Sequence, residues 1–144
     1  MSIKQISVFL ENKAGSMLEM TRTLAEKGID MRALSLAETS EFGIVRLITG
    51  DVYNASTVLK EAGFVYTITK VLGVCIPNEA GGLNQVLQVL SDANVNVEYM
   101  YAFLGSKSSE EACMILHVQD TKAASAVLRS KGIKLLEQDE IDQL

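Results

Sequence analysis

The 144 residues contain no tryptophan, one proline, one histidine and two cysteines. A single proline, Pro77, is too few for a chain built from linkers. A single histidine, His117, with no C-x-x-C and no H-x-x-x-H spacing, leaves metal binding without a ligand set, so neither a metal nor a cofactor is expected. The same scarcity prevents any Ser/His/Asp or Cys/His triad, and no catalytic residue is assigned. Stretches of about 18 uncharged apolar residues are absent, which argues against a membrane span. The opening Met-Ser-Ile-Lys-Gln has no basic stretch leading into an apolar run, so no signal peptide is expected and the expected location is cytoplasmic. In that setting Cys75 and Cys113 read as reduced thiols.

Positive charge is also short. Thirteen Lys and Arg face eighteen Asp and Glu, a net charge of −5. A duplex-binding surface needs several cations per site, so a nucleic-acid partner is disfavoured. The excess is uneven: residues 1–70 balance eight of each sign, whereas residues 71–144 hold five basic against ten acidic. Glu137, Asp139, Glu140 and Asp142 concentrate it in what reads as a solvated acidic tail.

The dominant feature of the chain is that it is written twice. At an offset of 66, Glu11-Asn12-Lys13-Ala14-Gly15 lies over Pro77-Asn78-Glu79-Ala80-Gly81. After a three-residue slip the offset is 69, and Asp51, Ala55, Ser56, Val58, Leu59 and Gly63 fall on Asp120, Ala124, Ser125, Val127, Leu128 and Gly132. The slip falls where Thr39–Phe42 faces the longer Gly105–Glu110, a polar turn where insertion costs little.

Each copy carries the same pattern of elements. Ile3–Leu10 alternates as a strand does, with Ile6, Val8 and Leu10 to one side. A helical stripe follows, Met17, Met20, Thr21 and Leu24, mirrored by Leu83, Val86, Leu87 and Leu90. Ser16 with Glu19 three residues on makes a capping-box pattern at the start of the first helix. Gly28 and Asn94 end these helices, both residue types that tolerate the left-handed conformation. Paired strands are expected over Asp30–Glu38 with Gly43–Thr49, and over Asn96–Leu104 with Ala112–Val118. Second helices begin near Asn54 or Thr121 and stop at Gly63 or Gly132. Val65–Lys70 and Lys134–Glu137 close the copies.

The order βαββαβ, twice, predicts an α+β chain of two tandem ferredoxin-like units, 1–70 and 71–144, each an antiparallel sheet with helices on one face. Tyr66–Ile76 runs strand-like through the junction, so the units are expected to pack as one body. With Val8, Leu10, Val45 and Leu47 toward the helices, Phe9, Ile44 and Ile48 point away. In the second copy that far face holds Cys75, Tyr99, Tyr101, Phe103, Cys113, Ile115 and His117. So apolar a face predicts a cover, either the other repeat or a second chain in a homodimer. Cys75 and Cys113 fall on neighbouring strands, as two buried thiols by default and as a redox pair in the alternative. His117 reads as a core or interface residue.

A βαββαβ unit with Asn-x-Ala-Gly between first strand and first helix resembles the ACT domain, a small regulatory amino-acid-binding module. The likeness rests on Leu10-Glu11-Asn12-Lys13-Ala14-Gly15-Ser16-Met17 with Gly28-Ile29-Asp30-Met31. It is repeated in Ile76-Pro77-Asn78-Glu79-Ala80-Gly81-Gly82-Leu83 with Asn94-Val95-Asn96-Val97. Ala14 and Ala80 stand where family members usually carry proline, so the loop lacks a fixed φ there.

The resemblance implies a free amino acid as ligand, often at an interface between two ACT units, and a separate regulated enzyme as partner. The chain also resembles the regulatory domain of phosphoglycerate dehydrogenase. There, a loop Asn and an Asn opening the second strand hold the ligand, roles that carry over to Asn12 with Asp30 and Asn78 with Asn96. Leu10, Ala14, Gly15, Ser16, Met17, Met31, Ile76, Ala80, Gly81, Gly82, Leu83 and Val97 complete the implied pockets. The chemistry suits a zwitterion: unpaired N–H groups at Gly15-Ser16-Met17 and Gly81-Gly82-Leu83 meet a carboxylate, and amide oxygens take the ammonium. Asp30 departs from the pattern, since a carboxylate prefers an ammonium whereas an amide serves either charge.

Other readings compete. An Asn in a strand-to-helix loop often caps the helix and does nothing more. Met17, Met20 and Met31 read as core and pocket lining, and Ala80-Gly81-Gly82 is too short for a phosphate loop. RNA-binding modules share the ferredoxin-like fold, but their basic-aromatic signature is missing. The main alternative to a sensor is an interaction module whose apolar sheet face docks a partner.

Overall fold

The computed structural model describes residues 2–105 and 110–143. The longer polar turn of the second copy falls largely on 106–109, outside the described residues. Two compact units emerge, Lys4–Thr69 and the chain from Lys70 onward together with Ile3.

In the first unit the elements are β1 (Ile3–Glu11), α1 (Ser16–Glu26), β2 (Met31–Glu38), β3 (Phe42–Thr49) and α2 (Val52–Glu61), followed by the start of β4 (Val65–Pro77). The strands lie in the order β2-β3-β1-β4. β1 and β3 are antiparallel with Val8 opposite Val45, and β2 pairs with β3 through Leu36 opposite Val45. The β2 register shifts between Met31 and Ala33, an irregularity of the bulge kind. Alternation delivers Ile6, Val8, Leu10, Val45 and Leu47 to one face, where Met20 and Leu24 of α1 and Ala55, Val58 and Leu59 of α2 close the core.

The second unit repeats this with the rest of β4, α3 (Gly82–Asp92), β5 (Tyr99–Ala102), β6 (Glu111–His117), α4 (Thr121–Ser130) and β7 (Lys134–Leu135). β4 pairs with β6 on one side and β7 on the other, and β5 pairs with β6. Leu72, Val74, Ile76 and Leu116 meet Val86, Leu90 and Leu128 in the second core. The twofold writing is preserved to the level of dihedrals. Gly15 and Gly81 have φ of 90° and 87°, Gly28 and Asn94 of 69° and 58°, Gly63 and Gly132 of 87° and 75°.

The structure differs from the sequence reading in places. β5 begins at Tyr99 because its partner β6 ends at His117, so Asn96 and Val97 precede the ladder. The fourth helix starts at Thr121 as expected, but the second starts earlier, at Val52; Asp51 and Asp120 cap them by accepting from the N–H groups of Asn54 and Ala123. The acidic tail is not simply solvated. Gln138–Gln143 forms a 3-10 helix with Ile141 fully buried, and Arg129 binds Glu137 at 2.7 Å. The far sheet faces divide: Ile48, Cys75, Cys113 and Ile115 are buried, while Phe9 is 39% exposed.

Candidate functional site

The first loop leaves β1 at Glu11 and is stitched to the β2–β3 hairpin. The Asn12 N–H donates to the Glu41 carbonyl at 2.9 Å. Its side-chain Nδ2 donates to the Thr39 carbonyl at 3.0 Å and to Glu38 Oε2 at 3.3 Å. Asn12 therefore does not cap α1. Nor does Ser16, and the capping box expected from Ser16 and Glu19 is not formed. The cap position is one residue earlier, at Gly15, whose left-handed backbone admits the chain to the helix and which has no side chain to offer. α1 consequently begins without a side-chain cap. Met17 packs on the first core beside Leu10, and Ala14 is exposed in the loop.

The second loop has the same design. The Asn78 N–H donates to Glu110 at 2.8 Å, as Asn12 does to Glu41, and the Gly82 N–H donates to Glu79 at 3.1 Å. Gly81 caps α3 in the left-handed conformation, again with no side-chain bond. Gly82 is buried, and a Cβ placed on it would overlap the Pro77 carbonyl. A cavity of about 410 Å³ opens here, lined by Cys75, Ile76, Gly82, Gln85, Glu110 and Lys134 among others. Lys134 and Glu111 face each other across 3.8 Å at its edge. Ile76 and Leu83 contribute to the second core, and Ala80 is exposed.

Asp30 and Asn96 lie elsewhere. The loop end of the first unit pairs Leu10 with Gly43, whereas Met31, next to Asp30, pairs with Thr49. Six residues of strand separate those positions, about 20 Å at the usual rise. The second unit has the same geometry, with Pro77 opposite Glu111 at one end and Tyr99 opposite His117 at the other. Each Asn is thus kept apart from the residue expected to share its ligand within its own unit, because β1 and β2 run the same way and α1 crosses between them. Asp30 is bound by Arg32 at 3.1 Å, and Met31 packs on the first core. Asn96 and Val97 line a cavity of about 390 Å³ with Leu87, Ser91 and Asn94.

Several contributors escaped sequence reasoning. Glu38, Thr39, Glu41 and Glu110 hold the loops from the facing hairpins, and the slip in the repeat was the signal that pointed there. Cys75 and Cys113 are not free thiols: they stand directly opposite in the β4–β6 register and form a disulfide, which corrects the default reading. His117 stacks on Tyr99 with ring centroids 4.7 Å apart, and its Nδ1 lies 3.3 Å from Glu98 Oε1. Among the described residues no group of three or more His, Cys, Asp or Glu is placed to hold a metal, and no helix is long and apolar enough to cross a membrane.

Against known proteins, the family model for the ACT domain pair matches residues 1–144. Among solved structures, protein BT0572 from Bacteroides thetaiotaomicron is 37% identical, over 100% of this chain and 98% of its own, with a TM-score of 0.92. The regulatory subunit of aspartate kinase from Thermus thermophilus, in its ligand-free form, is 15% identical over 88% of this chain and 90% of that one, with a TM-score of 0.63. The corresponding subunit from Thermus flavus is 17% identical over 88% of each chain, with a TM-score of 0.62. At those identities the Thermus likeness is one of fold. No curated protein matches.

Proposed function

The chain belongs to the ACT domain pair family, and from that membership we propose that it is a cytoplasmic regulatory protein with no catalysis of its own, which binds a free amino acid and passes its bound state to a separate enzyme. The observation that carries this reading is a contrast among the four helices. α2 and α4 are closed by Asp51 and Asp120, whereas α1 and α3, in matching loops, begin at bare glycines with no side-chain cap. The Ser16 and Gly82 N–H groups, expected to be unpaired, donate to the Lys13 and Glu79 carbonyls; the N–H groups that follow, on Met17 and Leu83, have no side-chain acceptor and suit a carboxylate. Glycine at the cap lets that carboxylate approach the backbone.

Recognition of the ammonium falls to oxygens. Asn12 spends its Nδ2 on Thr39, which orients Oδ1 as the acceptor. Asp30 and Asn96 are too far from the loops of their own units to share that ligand. The reading therefore assigns them to a ligand held between one ACT unit and a unit of a second copy, in a homodimer. The fold shared with the Thermus regulatory subunits is consistent with a chain that acts on a partner rather than on a substrate.

The test is a thermal-shift screen of the twenty amino acids. Stabilisation by a few degrees from one or two of them, at concentrations well above Kd, is the expected result. It should fall away in Asn12→Ala or Asn78→Ala. Absence of any shift at millimolar ligand overturns the sensor reading in favour of an interaction module.

A further inference from the structure

We propose that Cys75 and Cys113 form a reversible dithiol/disulfide exchange site that sets how firmly the second loop is held, in one unit of the pair only. The proposal stands whether or not that loop binds an amino acid.

The placement is the first argument. The two residues are cross-strand partners in the β4–β6 ladder, with Cα atoms 4.2 Å apart, close to the spacing of a non-hydrogen-bonded antiparallel pair. No ladder bond joins such a pair directly, so the sulfurs are the link at that rung. Two rungs further along, Pro77 faces Glu111, and then the Asn78 N–H closes the ladder on the Glu110 carbonyl. That last bond roots the second loop. A covalent link so close to the root limits how far the ends of β4 and β6 can part.

The second argument is asymmetry. The repeat offsets of 66 and 69 place Cys75 over Phe9 and Cys113 over Ile44. Phe9 and Ile44 are themselves direct partners in the β1–β3 ladder. The first unit thus holds an apolar pair at the rung where the second holds a redox couple. The first unit closes the same rung with no cross-link, so a disulfide is not something the fold requires there.

Access is the third argument. The two cysteines are only 5% and 6% exposed, yet Cys75 lines the cavity of about 410 Å³ at the second loop. The rung lies two residues from the end of β4, where local opening of the strand end admits a small dithiol. The chemistry is ordinary exchange with a dithiol. One of its thiolates attacks a sulfur of the pair, breaking that S–S bond, releasing the other cysteine and forming a mixed disulfide; its second thiol then attacks its own sulfur in that mixed disulfide and expels the remaining cysteine. The dithiol leaves as its own disulfide, and Cys75 and Cys113 each gain a hydrogen as thiols.

The experiment uses the whole protein and dithiothreitol as the dithiol. Alkylation under native conditions, read by mass spectrometry, should trap both cysteines after reduction and neither before it. Hydrogen exchange of the Asn78 amide should be about tenfold or more faster in the reduced protein, because a cross-link that closes this rung is lost. The Asn12 amide, bonded to Glu41 in the first unit, is the internal control and should not change. A Cys75→Ala, Cys113→Ala double variant should exchange like the reduced protein, and if it fails to fold the wild-type comparison decides alone. Alkylation that occurs only after denaturation, or an Asn78 amide indifferent to reduction, overturns the proposal.

Discussion

The Asn12 side chain donates to the Thr39 carbonyl at 3.0 Å, so the first loop is tied to the tip of the β2–β3 hairpin rather than to the helix it precedes. Removing that amide separates its structural role from any role toward a ligand. Asn12→Ala should cost about 1 kcal/mol in urea unfolding, the usual net worth of such a bond. Asn12→Asp, which loses the same donor but keeps an acceptor oxygen, should cost somewhat more, because its carboxylate then faces that of Glu38. If the ammonium reading is right, Asn12→Asp retains amino-acid-dependent stabilisation and Asn12→Ala does not.

Helix capping gives a sharper contrast. Asp51→Ala and Asp120→Ala each remove a carboxylate that accepts an N–H at 3.0 Å, and each should cost about 1 kcal/mol. Ser16→Ala should fall within about 0.5 kcal/mol of wild type, since Ser16 lies inside the helix and Gly15 holds the cap. Chemical denaturation of the three variants checks the ranking.

Gly82→Ala should be the most damaging single change in either loop. The added methyl overlaps the Pro77 carbonyl, which accepts from the Glu79 N–H, and a backbone oxygen held in a turn cannot swing aside as a flexible side chain can. A loss of about 1–3 kcal/mol is expected, with the change concentrated in the second unit. Gly105→Ala, with open space around its Cβ position, should be silent by the same measurement.

The carboxy-terminal acidic run should prove structural. Ile141 is fully buried, so Ile141→Ala should destabilise by about 2–5 kcal/mol. Asp142→Asn, at an exposed position, should change little. Melting temperatures of the two variants distinguish an anchored helix from a solvated tail.

Those outcomes mark where sequence reasoning reached and where it stopped. The duplication, the order of elements and the face of each strand were legible because burial enforces a period of two on strands and 3.6 on helices. Val8, Leu10, Val45 and Leu47 fell on the helix side as the alternation demanded. Cap positions were less legible: Ser16 and Glu19 matched a pattern, but the left-handed Gly15 moved the cap by one residue. The separation of Asn12 from Asp30 depends on which end of the sheet each occupies, a fact of strand direction that no local motif carries. Ile141 was hidden because four charges around it outweighed one apolar side chain in any window.

The shift of register between Met31 and Ala33 bears on how the protein behaves when concentrated. β2 is the edge strand of its unit, eight residues long, with Leu36 half exposed, and a flat edge of that length is a template on which other chains can grow strand by strand. The irregularity turns the first part of the edge out of line and leaves an unbroken run only from Ala33 to Glu38. A shortened, twisted edge of this kind is one of the ways sheets discourage strand-by-strand growth on an open side.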